Sequence, residues 1–203
     1  MEDMKNTIEQ EVEEVVEVKK SAAKTKQKAK TTTKAKKKTP REINNELRRV
    51  RKEVEFEILN ISSGRCSYLV DNRYLFGLEV GQRKVLSLDE LETICYNSKN
   101  FFANYDLLIT DTYNDDYSIE DARLYLDIND FYEGIEDCEC DFLEDLILNC
   151  SDEEFEKKIE NKNDIFLQAL TSKLSYLHSK GKGNLWGKNH ILKTKLDLET
   201  LLD

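Results

Sequence analysis

EVEFEIL, residues 53–59, sets Val54, Phe56 and Ile58 at alternate positions between Glu53, Glu55 and Glu57. A period of two sends alternate side chains to opposite faces of an extended chain, so the stretch predicts a strand with one buried face. The texture of the chain changes here. Before it lies a polar leader; after it, apolar side chains recur at regular spacing.

The strand pattern continues downstream. NISSG (60–64) reads as a turn, and RCSYLV (65–70) as a second strand with Cys66, Tyr68 and Val70 on one face. DNR (71–73) turns the chain again. YLFGLEV (74–80) is a third strand with Tyr74, Phe76 and Leu78 alternating, and KVLSL (84–88) follows Gly81-Gln82 as a short fourth. Ser87 and Glu90 have capping-box spacing, which starts a helix with Leu88, Leu91 and Ile94 or Cys95 inward. In FFANYDLLIT, Phe101 and Phe102 are core anchors and Leu107–Ile109 a closing strand. Tyr68, Tyr74 and Phe76 admit two readings, a stacking platform for single-stranded nucleic acid or a sheet core. The core reading is favoured, because beyond Arg65 and Arg73 no basic residue interleaves with them.

From about 113 the pattern is helical. Ser118/Asp121 and Ser151/Glu154 are further capping pairs. Helices are expected after Ser118, over about 141–149, over 152–161, from 165 to the Gly181 stop, and over about 189–202. Phe166, Leu170, Leu174 and Leu177 form the clearest apolar stripe. Trp186, in the preceding loop, reads as a cover on a core edge in preference to a docking residue.

Charge is distributed very unevenly. Residues 19–38, KKSAAKTKQKAKTTTKAKKK, hold ten lysines (Lys19, Lys20, Lys24, Lys26, Lys28, Lys30, Lys34, Lys36, Lys37 and Lys38), no acid and no large apolar side chain. Residues 1–18 carry a net charge of -6, residues 54–203 a net of -16, and the whole chain -10. A segment without apolar side chains cannot offset the entropy of ordering its backbone, so the tract is expected to be disordered when free. Its lysines suit three roles: a solvated tail, non-sequence-specific contact with DNA or RNA phosphates, or contact with an acidic protein surface. Met4, Ile8, Val12 and Val15 before the tract, and Ile43, Leu47 and Val50 after it, recur at helical spacing in narrow stripes, with Pro40 suited to a helix start. The expected organisation is a basic arm over 1–52, a small β-rich domain over 53–112 and an acidic helical domain over 113–203. The fold class is α+β, an antiparallel unit followed by a small helical bundle.

No reactive constellation emerges. The sequence has no G-x-S-x-G, P-loop or G-x-G-x-x-G pattern. Residues 111–154 hold 17 carboxylates, but neither DTYNDDYSIEDA nor DINDFYEGIEDC has the sixth-position glycine of a calcium loop. Eleven residues separate His178 and His190, and Cys138-Glu-Cys140 lacks a second pair, so zinc spacing is missing. The five cysteines, an odd number, read as reduced thiols. The expectation is a non-enzyme with no catalytic residues, no metal and no cofactor. No stretch approaches the length of a membrane span, and the first 30 residues lack the apolar core of a secretory signal.

A lysine- and threonine-rich arm, then SSGRCSYLV, VGQRKVLSLDEL, FF and LLIT, then CSDEEFEKKIE, resembles the order of parts in a loose group of small structural proteins from tailed bacteriophages. The matching positions are Gly64 with Tyr68, Gly81 with Val85, and Ser87 with Glu90-Leu91, within about 53–160. The resemblance implies a virion-assembly component of a head, neck or tail. Its partners would be other assembly proteins in an oligomer, with DNA met through the arm, no membrane partner, and a passage from host cytoplasm to virion. The alternative is a nucleic-acid-binding accessory or regulatory protein that acts through the arm.

Overall fold

The EVEFEIL stretch is the central strand of the sheet. The computed structural model describes residues 39–133, 135 and 140–197, with an α+β fold. β1 (Glu55–Asn60) pairs antiparallel with β4 (Arg83–Ser87) on one side and with β5 (Leu107–Thr112) on the other. Val54, Phe56 and Ile58 are buried, as the alternation requires. The alternation then breaks. Between Glu57 and Ile58 the register with β5 shifts, because Thr110 has no opposite number on β1. Past this bulge Ile58, Leu59 and Asn60 are all buried, and so are Leu107 to Thr110. The far end of the sheet is therefore covered on both faces, where continuous apolar runs replace alternation.

β2 (Cys66–Val70) and β3 (Arg73–Leu78) form a separate antiparallel hairpin between β1 and β4. Its two-residue turn is Asp71-Asn72, both with positive φ (49° and 62°). That is the handedness that matches the twist of the flanking strands, and Asp and Asn tolerate it better than most side chains. The expected alternation of Tyr74, Phe76 and Leu78 is corrected here. A register shift leaves Leu75 extra, so Leu69 faces Tyr74 while Tyr68 faces Phe76. One extra residue reverses the face of everything beyond it. Phe76 is buried, whereas Tyr74 is 68% exposed. Tyr68 stacks on Phe76 at 6.1 Å between ring centroids, and Phe101 meets both rings edge-on. Tyr68, Tyr74 and Phe76 thus share no single platform.

The helices follow their caps. α2 (Leu88–Ser98), α4 (Ile119–Tyr125) and α6 (Asp152–Ile159) each begin with a reciprocal serine box, at Ser87/Glu90, Ser118/Asp121 and Ser151/Glu154. α3 (Asn100–Ala103) is one short turn that buries Phe102. α5 (Phe142–Asn149), α7 (Asp164–Ser179) and α8 (Trp186–Leu196) pack with α6 as a bundle, α5 and α8 against α7 and α6 against α8. α7 buries Phe166, Leu167, Leu170, Leu174 and Leu177, and ends where the Lys182 amide donates to the Leu177 carbonyl around Gly181 at φ 68°. The last helix starts three residues earlier than the apolar spacing predicts. Leu185, Lys188, Asn189 and Leu192 take its inward positions, and this phase turns Trp186 outward, 70% exposed. The expected core-edge role for Trp186 is corrected accordingly.

Residues 40–50, read as part of the arm, form helix α1 (Pro40–Val50). Thr39 caps it, Glu42 completes the box, and Pro40 takes the first helical position, where its missing N–H costs nothing. α1 packs against α4, and Leu47 is fully buried. The change from strands to helices near 112 is a change of secondary structure within one core. A single cluster of buried side chains runs from Leu47 through Phe56, Ile94, Ile109 and Phe142 to Leu192. If α1 belongs to that core, Leu47→Ala lowers unfolding stability by about 2–5 kcal/mol. Urea denaturation of the full chain checks this, and an unchanged midpoint would separate α1 from the core.

Candidate functional site

The ten arm lysines singled out from the sequence, Lys19 to Lys38, lie outside the described residues. Among the described residues, chemistry concentrates where β1 leaves the sheet. Asn60 is fully buried and uses both ends of its amide. Its Nδ2 donates to the carbonyls of Gly64 (2.8 Å) and Leu78 (2.9 Å), and its Oδ1 accepts from the Ser62 amide (3.0 Å) and hydroxyl (2.8 Å). The Cys66 thiol also reaches Oδ1, at 3.5 Å. One side chain therefore fixes the 61–64 turn, the start of β2 and the end of β3. In the sequence NISSG shows only as a turn; an asparagine directly after the apolar end of EVEFEIL is the one available signal.

A cleft of about 260 Å³ opens beside this turn, lined in part by Ser62, Ser63, Asn104, Asp106, Gln168 and Ser172. Tyr105 also lines it, with φ of 60°, a conformation that is an outlier for an aromatic residue and stores local strain. The ring is held by Tyr132, Phe142 and Phe166, all edge-on, and its hydroxyl donates to the Phe131 carbonyl at 2.9 Å. Asp106 is half-buried, and burial alone pushes its carboxyl above the usual range. The lining supplies hydroxyls, amides and one carboxylate. This set suits hydrogen bonding to a polar group.

Behind the cleft, α7 buries a charge. Lys173 is 1% exposed, and its ammonium donates to the Ile61 carbonyl at 3.2 Å and to the Asp141 carboxylate. Glu144 lies 3.8 Å from the same ammonium and 2.6 Å from Lys182. Burial pushes the Asp141 carboxyl up, against the pull of Lys173. Asp141 also caps α5 through the Glu144 amide. The group ties the sheet exit to two helices.

The thiols are placed for packing. Burial raises the Cys66 thiol, which meets the Ser62 hydroxyl and the Asn60 amide oxygen, and pushes Cys95 up to about 12. A thiol held protonated is a poor nucleophile. Cys150 is half-buried, 3.6 Å from the Lys158 ammonium; Cys138 lies outside the described residues. His178 and His190 are exposed on α7 and α8. Among the described residues no group of three His, Cys, Asp or Glu side chains could hold a metal ion. No described helix is long and apolar enough to cross a membrane.

Two measurements probe this region. Asp141→Asn leaves the buried ammonium with the Ile61 carbonyl and, at 3.8 Å, Glu144, and is expected to cost about 3 kcal/mol. Lys173→Met, which removes the buried charge itself, is expected to cost markedly less, and denaturation of both variants checks the order. Asp106 carries the opposite sign from a salt-bridged carboxylate. Its raised folded pKa makes the native state bind protons more readily, so stability falls as pH rises from 3.8 through the raised value. Asp106→Asn should raise the melting temperature at pH 7 and leave it unchanged near pH 3, as calorimetry at the two pH values can read.

No family model, curated protein or solved structure matches this chain.

Proposed function

We propose that this protein is a non-enzymatic structural or adaptor component, of the kind that builds the head, neck or tail of a bacteriophage particle, and that the lysines of residues 19–38 tether it to nucleic acid. The observation that carries the reading is segregation of charge. Twenty consecutive residues hold ten lysines and no acid, beside a body whose residues 54–203 carry a net charge of -16. An acidic body with a net charge this far from zero needs no cationic tail for solubility. A dense block of point charges instead matches the phosphate backbone, where affinity comes from released counterions and carries no sequence preference. The body supports an adaptor role through exposed aromatic side chains, with Tyr74, Tyr96, Tyr113 and Trp186 each at least 60% exposed. Tyr and Trp are enriched where proteins meet proteins. The resemblance of Gly64/Tyr68, Gly81/Val85 and Ser87/Glu90-Leu91 to virion proteins supports the assembly context.

The test replaces all ten lysines with glutamine in the full chain. Binding to random-sequence duplex DNA is followed by fluorescence anisotropy from 50 to 200 mM salt. Six engaged lysines predict a log–log slope of about -5 for that part of the binding, lost in the variant. Equal affinity and slope in the two proteins would sink the tether. Sedimentation of the full chain addresses assembly: concentration-dependent oligomers are expected, and a strict monomer with and without DNA would favour a nucleic-acid-binding accessory protein.

A further inference from the structure

We propose that the outward face of α1 is a second cationic surface, built to lie in the major groove of duplex DNA. The inference rests on the reading that the lysine tract binds nucleic acid, and extends it from an arm to a folded element. At about 100° per residue, Arg41 and Arg48 fall within about 20° of each other, on the side of α1 opposite Ile43, Leu47 and Val50. Asn44 and Asn45 lie between them along the helix, Arg49 flanks them, and Lys52 follows in the turn after the helix. All six are exposed.

The four cations, Arg41, Arg48, Arg49 and Lys52, make no ion pair among the described residues. Residues 54–203 hold 31 acids against 15 bases, and several of those bases meet an acid. Arg51 meets Asp89 at 2.6 Å, Lys99 meets Asp127 at 2.7 Å, Lys182 meets Glu144 at 2.6 Å, and Arg83 pairs with Glu57. Of the acids of α1, Glu46 is half-buried, and Glu42, exposed and about 20° from Arg49 around the helix axis, has its carboxylate engaged by the Thr39 amide at 2.8 Å. The asparagines add amide donors and acceptors with no charge to repel phosphate.

Size decides the class of duplex. Eleven residues make a helix about 16 Å long, with Arg41 and Arg48 about 10 Å apart along its axis. The major groove of B-DNA, about 12 Å wide, admits an α-helix, and long cationic side chains along its outward face can reach the phosphates that edge the groove. The major groove of duplex RNA is too deep and narrow. The acidic remainder of the body repels the polyanion and so orients it toward α1. Lys38 immediately precedes the Thr39 cap, so along the chain the lysine tract leads directly into the helix.

The experiment compares full-length wild type, the ten-lysine glutamine variant, and Arg41→Gln/Arg48→Gln/Arg49→Gln/Lys52→Gln. Each is titrated with a random 30-base-pair DNA duplex and the equivalent RNA duplex across a salt series. The helix variant should melt like wild type, since it loses exposed side chains without ion pairs. Its salt slope on DNA should be shallower by about 3, and its affinity at low salt at least tenfold weaker. On RNA its slope should match wild type. Wild type should also protect guanine N7, a major-groove atom, from methylation, and the helix variant should not. If only the lysine variant changes, the helix surface is overturned and the arm tether stands. If only the helix variant changes, the arm tether falls and the helix surface stands. If wild type binds no DNA, both fall. Equal loss of slope on RNA, or unprotected N7, overturns groove docking.

Discussion

A buried ammonium sets the geometry in which the helical bundle meets the sheet. Lys173 leaves solvent almost entirely, and its partners come from distant parts of the chain: the Ile61 carbonyl just past β1, and Asp141 at the head of α5. Desolvating an ammonium costs several kcal/mol unless attraction and hydrogen bonds offset it. The cost is met only when α7, α5 and the sheet exit arrive in one geometry. An apolar side chain here would hold the halves with less directional demand. The lysine makes the docking of bundle on sheet depend on angle as well as on area.

The same corner explains why the cleft and the turn beside it are well defined. Asn60 occupies both ends of its amide with the backbone of the 61–64 turn and β3, and Tyr105 is wedged by three aromatic rings with its backbone in a strained region. Polar groups inside a low-dielectric core either find every partner or destabilise strongly. Here they are satisfied by backbone, which fixes the local geometry without an apolar filling.

Much of this was legible in the sequence, for identifiable reasons. Caps at Ser87, Ser118 and Ser151 were readable because a serine and an acid three residues later act locally. The stripe of α7 was readable because four leucine or phenylalanine positions repeat over four turns. The bulges at Thr110 and Leu75 were not, since each depends on which residue of a partner strand lies opposite. That is why a period of two places Tyr74 on the wrong face. α1 shows the same limit: Ile43, Leu47 and Val50 make a stripe too narrow to stand alone, and only the packing of α4 turns it into a core element. Trp186 was misplaced because lysine and asparagine, at 188 and 189, hold inward positions that a hydrophobicity pattern assigns to solvent. As for the candidate site, the arm's charge was plain, whereas the cleft is assembled from turns whose residues have no periodicity to betray them.

The reciprocal cap at Thr39 and Glu42 has a consequence for how this chain can vary. Because the cap sets where the helix begins, it also sets the rotational phase of every side chain after it. Lysines can be gained or lost upstream without turning Arg41 and Arg48 away from the direction they face. The length of the leader and the aim of the helix are thus independent variables, free to drift separately over generations.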